Sequence, residues 1–383
     1  MRSRLLPWIV VCAGVFPSAP ARGDSLYALQ TGQIHLLTDN NGDGDFLDFS
    51  EVRLFADGLA TGVSVISSNT DAIFALNPGS RAIVRISDLN EDGDALDFGE
   101  VLSYADLPAG PAGPTTIRAT ADGRVFATDS GCGCLYLIRD LNQDGDAFDA
   151  FEVTTIASGL TSPVSISTRT DGVLLIAQQS AQIPVRILRD RNGDGDFFDF
   201  AENISYAESI TAGTVIESLS SRQSYLLRPS DGTIQTLDDL TGDDDVLDFA
   251  EIRLFAGGLT TASGLAIAEG GAAYVSRTGT GGGIWRIEDS NGDGDALDFN
   301  EAVQVATGMT NIIGLTHRST AVPECLNGDA DENGMVGVSD IAPLTAALLG
   351  ITVPGDICRV DVNDDGVLNG HDVRSFVGII TGP

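Results

Sequence analysis

One thirteen-residue signature, repeated six times, limits what this chain can fold into more than any other feature. It reads DNNGDGDFLDFSE from Asp39, DLNEDGDALDFGE from Asp88 and DLNQDGDAFDAFE from Asp140. It returns as DRNGDGDFFDFAE from Asp190, DLTGDDDVLDFAE from Asp239 and DSNGDGDALDFNE from Asp289. The steps between first aspartates are 49, 52, 50, 49 and 50 residues. A near-constant period of that size means one supersecondary unit copied along the chain, each copy burying its apolar face against the next.

Around each signature the chain reads as short strands. The positions two and five residues before the first Asp are aliphatic in every copy: Leu37 and Ile34, Ile86 and Ile83, Ile138 and Leu135, Leu188 and Val185, Leu237 and Ile234, Ile287 and Ile284. Side chains alternate along a strand, so an odd separation puts this pair on opposite faces unless a bulge intervenes. A second strand follows the loop, as in Glu51–Phe55 and Glu251–Phe255, and a Gly-Leu turn leads to two more, such as Val63–Ser67 and Ala72–Leu76. Four short strands per repeat is the content of a β-propeller blade, whereas the coils of a parallel β-helix are much shorter. The chain enters at Leu26–Gln30, which matches a second strand, and the missing first strand reappears at Ile312–Thr316. The reading is mainly β: a six-bladed propeller over residues 22–320, closed by a blade shared between the two ends, which removes free sheet edges.

The loops themselves carry chemistry. Counting the first Asp as one, side-chain oxygens fall at positions one, three and five, and Gly follows at six. This is the opening of an EF-hand calcium loop, in which hard oxygen donors suit Ca²⁺ and Gly permits the sharp turn. The remaining acids fall at ten and thirteen instead of nine and twelve, so one residue has been inserted and the interval kept. Asp-x-x-Glu is also the spacing of a capping box, which would set both side chains on one turn. Position seven is expected to give its backbone carbonyl and leave its Asp side chain outside. The expected ligands are Asp39, Asn41, Asp43, Asp48 and Glu51; Asp88, Asn90, Asp92, Asp97 and Glu100; and Asp140, Asn142, Asp144, Asp149 and Glu152. They continue with Asp190, Asn192, Asp194, Asp199 and Glu202; Asp239, Asp243, Asp248 and Glu251; and Asp289, Asn291, Asp293, Asp298 and Glu301. The fifth loop has Thr241 at position three and Asp244 in place of Gly, so weak binding or none is expected there. Mg²⁺ fits such all-protein cages poorly because it gives up water reluctantly.

Composition agrees with this address for the acid. Of 55 acidic residues in 383, 32 fall in the six signatures, against 21 basic residues, all Arg, and a net charge of −34. That balance argues against nucleic-acid binding, which needs a basic surface. Residues 1–21 read as a signal peptide, with Arg2 and Arg4 before the apolar run from Leu5 to Phe16 and the small-residue site Ala19-Pro20-Ala21. The run is short for a membrane span, so a secreted, extracellular chain without a transmembrane anchor is expected, and a monomer. Cys325 and Cys358 sit at similar offsets before two related acidic loops and are expected to pair with each other. Cys132-Gly133-Cys134 fits a local disulfide or two free thiols.

After Pro323 the pattern changes. DADENGMVGVSD from Asp329 precedes the apolar run Ile341–Leu349, and DVNDDGVLNGHD from Asp361 precedes Val373–Ile380. Each is a twelve-residue calcium loop followed by about one short helix. Paired in this way, residues 325–383 resemble a type I dockerin domain. The resemblance implies a small α-helical calcium-loop module with Asp329, Asp331, Asn333 and Asp340, then Asp361, Asn363, Asp365, Asn369 and Asp372, as Ca²⁺ ligands. It also implies docking to a cohesin-type partner. Positions ten and eleven, which commonly help set partner choice in that family, are Val338-Ser339 and Gly370-His371, so the two faces are unlike, and Gly337 offers no side chain at position nine.

The propeller looks like the broad six-bladed group that includes NHL-repeat proteins, gluconolactonase-like hydrolases and quinoprotein sugar dehydrogenases. Fold alone transfers no chemistry. The three histidines are His35, His317 and His371, and no nucleophile elbow, phosphate loop or H-E-x-x-H motif occurs. The expectation is a secreted calcium-binding module for binding or scaffolding, attached by its tail to a cohesin-type or cell-surface partner. The alternatives are an enzyme acting on polysaccharide or lactone, and a purely structural surface protein. An ion in the central channel, or clustered acids opposite the calcium-loop face, would favour the enzyme, and a flat channel filled by side chains would favour the others.

Overall fold

The computed structural model describes residues 25–318, apart from 61–64, 69–71, 111–112, 121–122, 209, 269–270, 280–281 and 310, together with 341–348, 373, 376 and 377. The residues read as a signal peptide, Cys325 and Cys358, and both tail loops lie outside the described residues. One helix, Ile341–Leu348, follows the first tail loop and buries Leu344. Among the described residues no helix is long and apolar enough to cross a membrane.

The described strands form six four-stranded antiparallel sheets, the blades of a β-propeller. Numbered in chain order, blade I holds Ser25–Gln30, Gln33–Thr38 and Val52–Ala56, with the last described strand, Gly314–Arg318, paired to its first. Blades II to VI follow without interruption. Their inner strands are Val65–Ser68, Pro114–Ala119, Pro163–Thr168, Val215–Ser218 and Ala262–Ile267. Each inner strand lies beside the inner strands of both neighbouring blades, including Ala262–Ile267 against Gly314–Arg318 and the latter against Val65–Ser68. The inner strand of blade I begins two residues later than expected. Ile312 and Ile313 are taken up by other partners, the Ile312 carbonyl by Ser263 Oγ and the Ile313 N–H by the Leu29 carbonyl.

The odd spacing of the aliphatic pair reflects a third strand buried on both faces, one member of the pair facing each neighbouring blade. In all six blades the ladder between third and outer strands shifts register right after the upstream residue, as between Ile34 and His35 or Ile284 and Trp285. The extra residue lies on the outer strand, as Phe55 and Val305 do, while the third strand keeps its register with the second, so the two members of each pair point to opposite faces, and all twelve have no solvent exposure. The apolar clusters they join lie between blades: Leu37 packs with Ala266, Tyr274 and Ile284, and Ile86 with Tyr27, Leu29 and Phe55. Burying such faces at about 25 cal/mol per Å² is the main force holding one blade to the next.

Hydroxyls on the inner strands add polar links at the axis. Ser67 Oγ accepts the Ala119 N–H, and Ser165 and Ser167 accept those of Ile216 and Ser218. Where the bulge leaves no room, glycine is required. Gly283 opens a third strand at φ +147°, and a Cβ there would overlap the Ala306 carbonyl oxygen. Gly172 has φ +79° with open space around it. Gly283→Ala is therefore expected to cost about 3 kcal/mol and Gly172→Ala about 1 kcal/mol, to be checked by denaturant unfolding.

Candidate metal centres

All six acidic loops connect a third strand to an outer strand, so antiparallel connectivity brings them out on one face of the ring. Their conformation rests on the last residue of the signature. The Glu at position thirteen is buried in every blade, at most 3% exposed. One of its oxygens accepts the N–H of position two at 2.8–3.0 Å. The other accepts the N–H of position ten at 2.9–3.3 Å. The second bond is the Glu half of the capping box anticipated from the spacing. Position twelve takes a left-handed conformation whatever residue stands there, from Ser50 to Phe151 and Asn300.

The Asp at position one folds the first half, accepting the N–H of position six at 2.8–3.2 Å. In five loops the Asn at position three then lies between two carboxylates. Its Nδ2 donates to the Asp at five at 2.9–3.2 Å and to the Asp at ten at 2.5–2.7 Å. The structure thus brings positions three, five and ten together in loops one, two, three, four and six, with Glu behind them holding backbone.

Position seven differs from expectation in the fourth loop. In each loop its carboxylate accepts the N–H of position nine, as Asp45 does from Leu47, and in the fourth it also stands among the other oxygens. In the fourth loop Asp194, Asp196 and Glu202 each place an oxygen within 4.8 Å of the other two, a grouping that includes position seven and leaves out position one. The reason is local: Asp190 is occupied by the N–H groups of Gly193 and Gly195. In the second loop Asp88 Oδ1 is buried without a hydrogen-bond partner, an acceptor that a cation would satisfy. Hard carboxylate and amide oxygens at these positions fit Ca²⁺.

The fifth loop keeps its backbone but loses its donor geometry. Thr241 Oγ1 donates to Glu251 Oε1, and no amide bridges Asp243 to Asp248. Asp244, left-handed at φ +71°, points to a cluster of arginines in blade IV, 2.7 Å from Arg189, 3.7 Å from Arg169 and 3.9 Å from Arg191. The Gly-to-Asp change thus joins two blades. Titration behaviour separates loops five and six as well. Burial, with Asp243, Glu251 and Asp248 nearby, raises the pKa of Asp245 against the pull of the Leu247 N–H. Asp289 feels burial too, but N–H bonds from Gly294, Gly292, Asp293 and Asn291 outweigh it and lower its pKa.

Position eight explains why the loops recur in every blade. Its side chain is buried in five of the six loops and partly buried, as Phe197, in the fourth. Its N–H donates to a carbonyl on the preceding blade's outer strand at 2.7–2.9 Å: Phe46 to Val305, Ala95 to Phe55, Ala147 to Tyr104, Phe197 to Ile156, Val246 to Tyr206 and Ala296 to Phe255. Each loop is therefore a clasp between blades as well as a set of oxygens. No sequence pattern shows this, because the acceptor lies in a different blade, about forty residues away in five loops and at the other end of the propeller for Phe46 and Val305.

The central channel holds a second polar feature. A cavity of about 200 Å³ is lined by Ser67, Thr115, Thr116, Ser165, Thr214, Ser263 and Thr316, with Arg118 and Glu217 across it. Arg118 of blade III donates to Glu217 of blade V at 2.6 Å, spanning the blade between them. Burial raises the Glu217 pKa, while Arg118 and the nearby His317 pull it down. His35 lies on a different strand, with a buried, unpartnered Nε2 and a pKa lowered by burial. The two histidines of blade I are not cross-strand partners, since the strand Ser25–Gln30 runs between them. A single charge in each of two otherwise apolar and hydroxyl-bearing inner strands was the only sequence signal for Arg118 and Glu217. Among the described residues the channel lining holds one acid, Glu217, and its pair with Arg118 spans it.

No protein-family model matches this chain, and no curated protein does. Among solved structures, a chain from a crystal structure of a nidogen/laminin complex is similar at 15% identity, covering 77% of this chain and 98% of that one, with a TM-score of 0.57. A putative 6-phosphogluconolactonase from Bacteroides uniformis matches at 14% identity, over 71% and 81% of the two chains, with a TM-score of 0.48. A virginiamycin B lyase from Staphylococcus aureus matches at 16% identity, over 60% and 67%, with a TM-score of 0.42. The first likeness shows the propeller fold, and these identities carry no chemistry with them.

A raised carboxyl pKa means that the folded chain takes up the proton more readily than the unfolded one. Glu217's contribution to stability is therefore full below the ordinary carboxylate range and shrinks as pH rises through the raised value. Glu217→Gln stays neutral and is expected to gain on the wild type as pH rises from about 4 to about 7. Glu217→Ala, which leaves Arg118 unpaired, is expected to lose about 2 kcal/mol at neutral pH. Thermal melts of the three proteins across that range provide the check.

Proposed function

We propose that this chain is a secreted, calcium-binding propeller that serves as a binding or scaffolding module, with a dockerin-like tail attaching it to a cohesin-type or surface partner. The observation that carries the reading is the double duty of the loops: the segment that gathers the oxygens also clasps the next blade. Ca²⁺ would be held by the side chains at positions one, three, five, ten and thirteen, a reading supported by the unpartnered Asp88 Oδ1, with position seven joining in the fourth loop, where Asp196 lies beside Asp194 and Glu202. It would supply positive charge where five or six acids crowd one loop. Closure of the ring through the blade shared by the two chain ends belongs to the same reading, supported by the ladder from Ser25–Arg318 to Leu29–Gly314. The nidogen/laminin likeness supports the fold such a module would use.

Loading that follows folding makes stability depend on the ion, at about 2.7 kcal/mol per site when free Ca²⁺ is a hundredfold above Kd. A chelator is expected to lower the melting temperature of the full chain, and an unchanged melting temperature would overturn the reading. The fifth loop is the weak one. The double variant Thr241→Asn, Asp244→Gly, which gives it the residues of its neighbours, is expected to add one tight site in calorimetric titration with Ca²⁺.

A second reading, a carbohydrate- or lactone-active enzyme, draws on the meeting of Glu217, Arg118 and His317 in the channel. Perturbed titratable groups in a cavity mark candidate sites. Under that reading Glu217→Gln abolishes turnover of a lactone or glycan panel while leaving Ca²⁺ uptake intact.

A further inference from the structure

On the face opposite the acidic loops, in the turn between the second and third strands of blade III, Cys132 and Cys134 form a disulfide. Two residues apart, these cysteines close so small a loop that the bond removes little freedom from the unfolded chain, so stability is a poor reason for it. Its surroundings point elsewhere. Cys132 is exposed and Cys134 half-buried. Between them Gly133 is buried at φ +62°, beneath the Leu160 carbonyl, and its own carbonyl accepts the Leu160 N–H. The turn is thereby held in place whether or not the sulfurs are joined.

Beneath it lies a charged arrangement. Asp129 has no solvent exposure; one of its oxygens accepts the Gly131 N–H and the other binds Arg81 of blade II at 2.5 Å. Arg81 also hydrogen-bonds the Tyr136 side chain. The Tyr136 hydroxyl, on a buried ring, lies 3.5 Å from Cys132 Sγ. A disulfide sulfur has no proton, so the tyrosine O–H is the donor, aimed at that sulfur with a guanidinium behind it.

We propose that Cys132-Gly133-Cys134 is a thiol–disulfide exchange site that accepts two electrons from an exposed dithiol. One thiolate of the dithiol attacks Cys132 Sγ, the accessible sulfur. The Cys132–Cys134 bond breaks, and Cys134 leaves as a thiolate and takes up a proton. The second thiolate of the dithiol then attacks its own partner sulfur in the mixed disulfide, closing the substrate's disulfide and releasing Cys132 as a thiolate. The Tyr136 O–H, backed by Arg81, stabilises that departing charge, and in the reduced protein it makes Cys132 the more reactive thiol. Two electrons pass from the dithiol to the protein; one of its protons is balanced by that taken up at Cys134, and the other goes to solvent while Cys132 remains a thiolate. The inference stands on blade III alone and is independent of the calcium reading.

The full calcium-loaded chain, equilibrated with mixtures of reduced and oxidised dithiothreitol, is expected to reduce reversibly at this pair without unfolding. Iodoacetamide labelling followed by peptide mapping is then expected to modify Cys132 about tenfold faster than Cys134. Tyr136→Phe keeps the ring and is expected to bring the two rates close together. If that variant does not fold, the single-cysteine proteins decide: Cys134→Ser is expected to form a mixed disulfide with oxidised glutathione faster than Cys132→Ser. A disulfide that resists the dithiol in the folded protein, equal labelling rates in the wild type, or equal single-cysteine rates would overturn the proposal.

Discussion

A buried glutamate at the end of each acidic loop holds two backbone N–H groups eight residues apart, and the arrangement of the blades follows from that restraint. With positions two and ten tied to one carboxylate, the chain between them can only bow outward. That bow carries position eight onto the outer strand of the preceding blade, where its N–H finds a carbonyl and its side chain enters the inter-blade core. A charge-assisted bond to a buried carboxylate is among the stronger hydrogen bonds available to a protein, and an unpaired buried carboxylate is costly. The fold, the loop and the ring contact are therefore one cooperative unit repeated six times.

The two faces of the ring follow from the same connectivity and differ in chemistry. One carries the acidic loops, each presenting an exposed aromatic ring such as Phe49, Phe98, Phe200 or Phe249 among its carboxylates. The other carries the short turns, among them Cys132–Cys134 and the Arg81–Asp129 pair that joins blades II and III. Between them the channel is crossed by Arg118 and Glu217, which tie together blades that do not touch through their sheets. Where the repeat departs from pattern, as at Asp244, the departure is answered by arginines on the neighbouring blade.

Much of this was legible in the residues. The fifty-residue period, the paired aliphatic positions and the turn chemistry were enough for six blades of four strands. The strand at Gly314–Arg318 was displaced by two residues from its expected place, because hydrogen bonds to Ser263 and Leu29 claim the chain just before it. The two outcomes allowed by the odd aliphatic spacing could not be told apart until the third strand was seen to run in regular register with the second and to be buried on both faces. In the fourth loop position seven departs from the expected place, because Asp196 comes to lie beside Asp194 and Glu202, a grouping that spacing along the chain does not encode.

The sequence by itself determined the repeat, the strand count, the placement of oxygens at fixed intervals and the concentration of acid in the loops. These are local properties, fixed by side-chain period and by residues within one turn of each other. The tertiary structure alone decided which carbonyl receives each loop, that Arg118 meets Glu217 ninety-nine residues away, and that Tyr136 and Arg81 stand behind Cys132. Such contacts join residues of different blades or neighbouring strands through the packing of the ring, and no spacing along the chain encodes the distance between them.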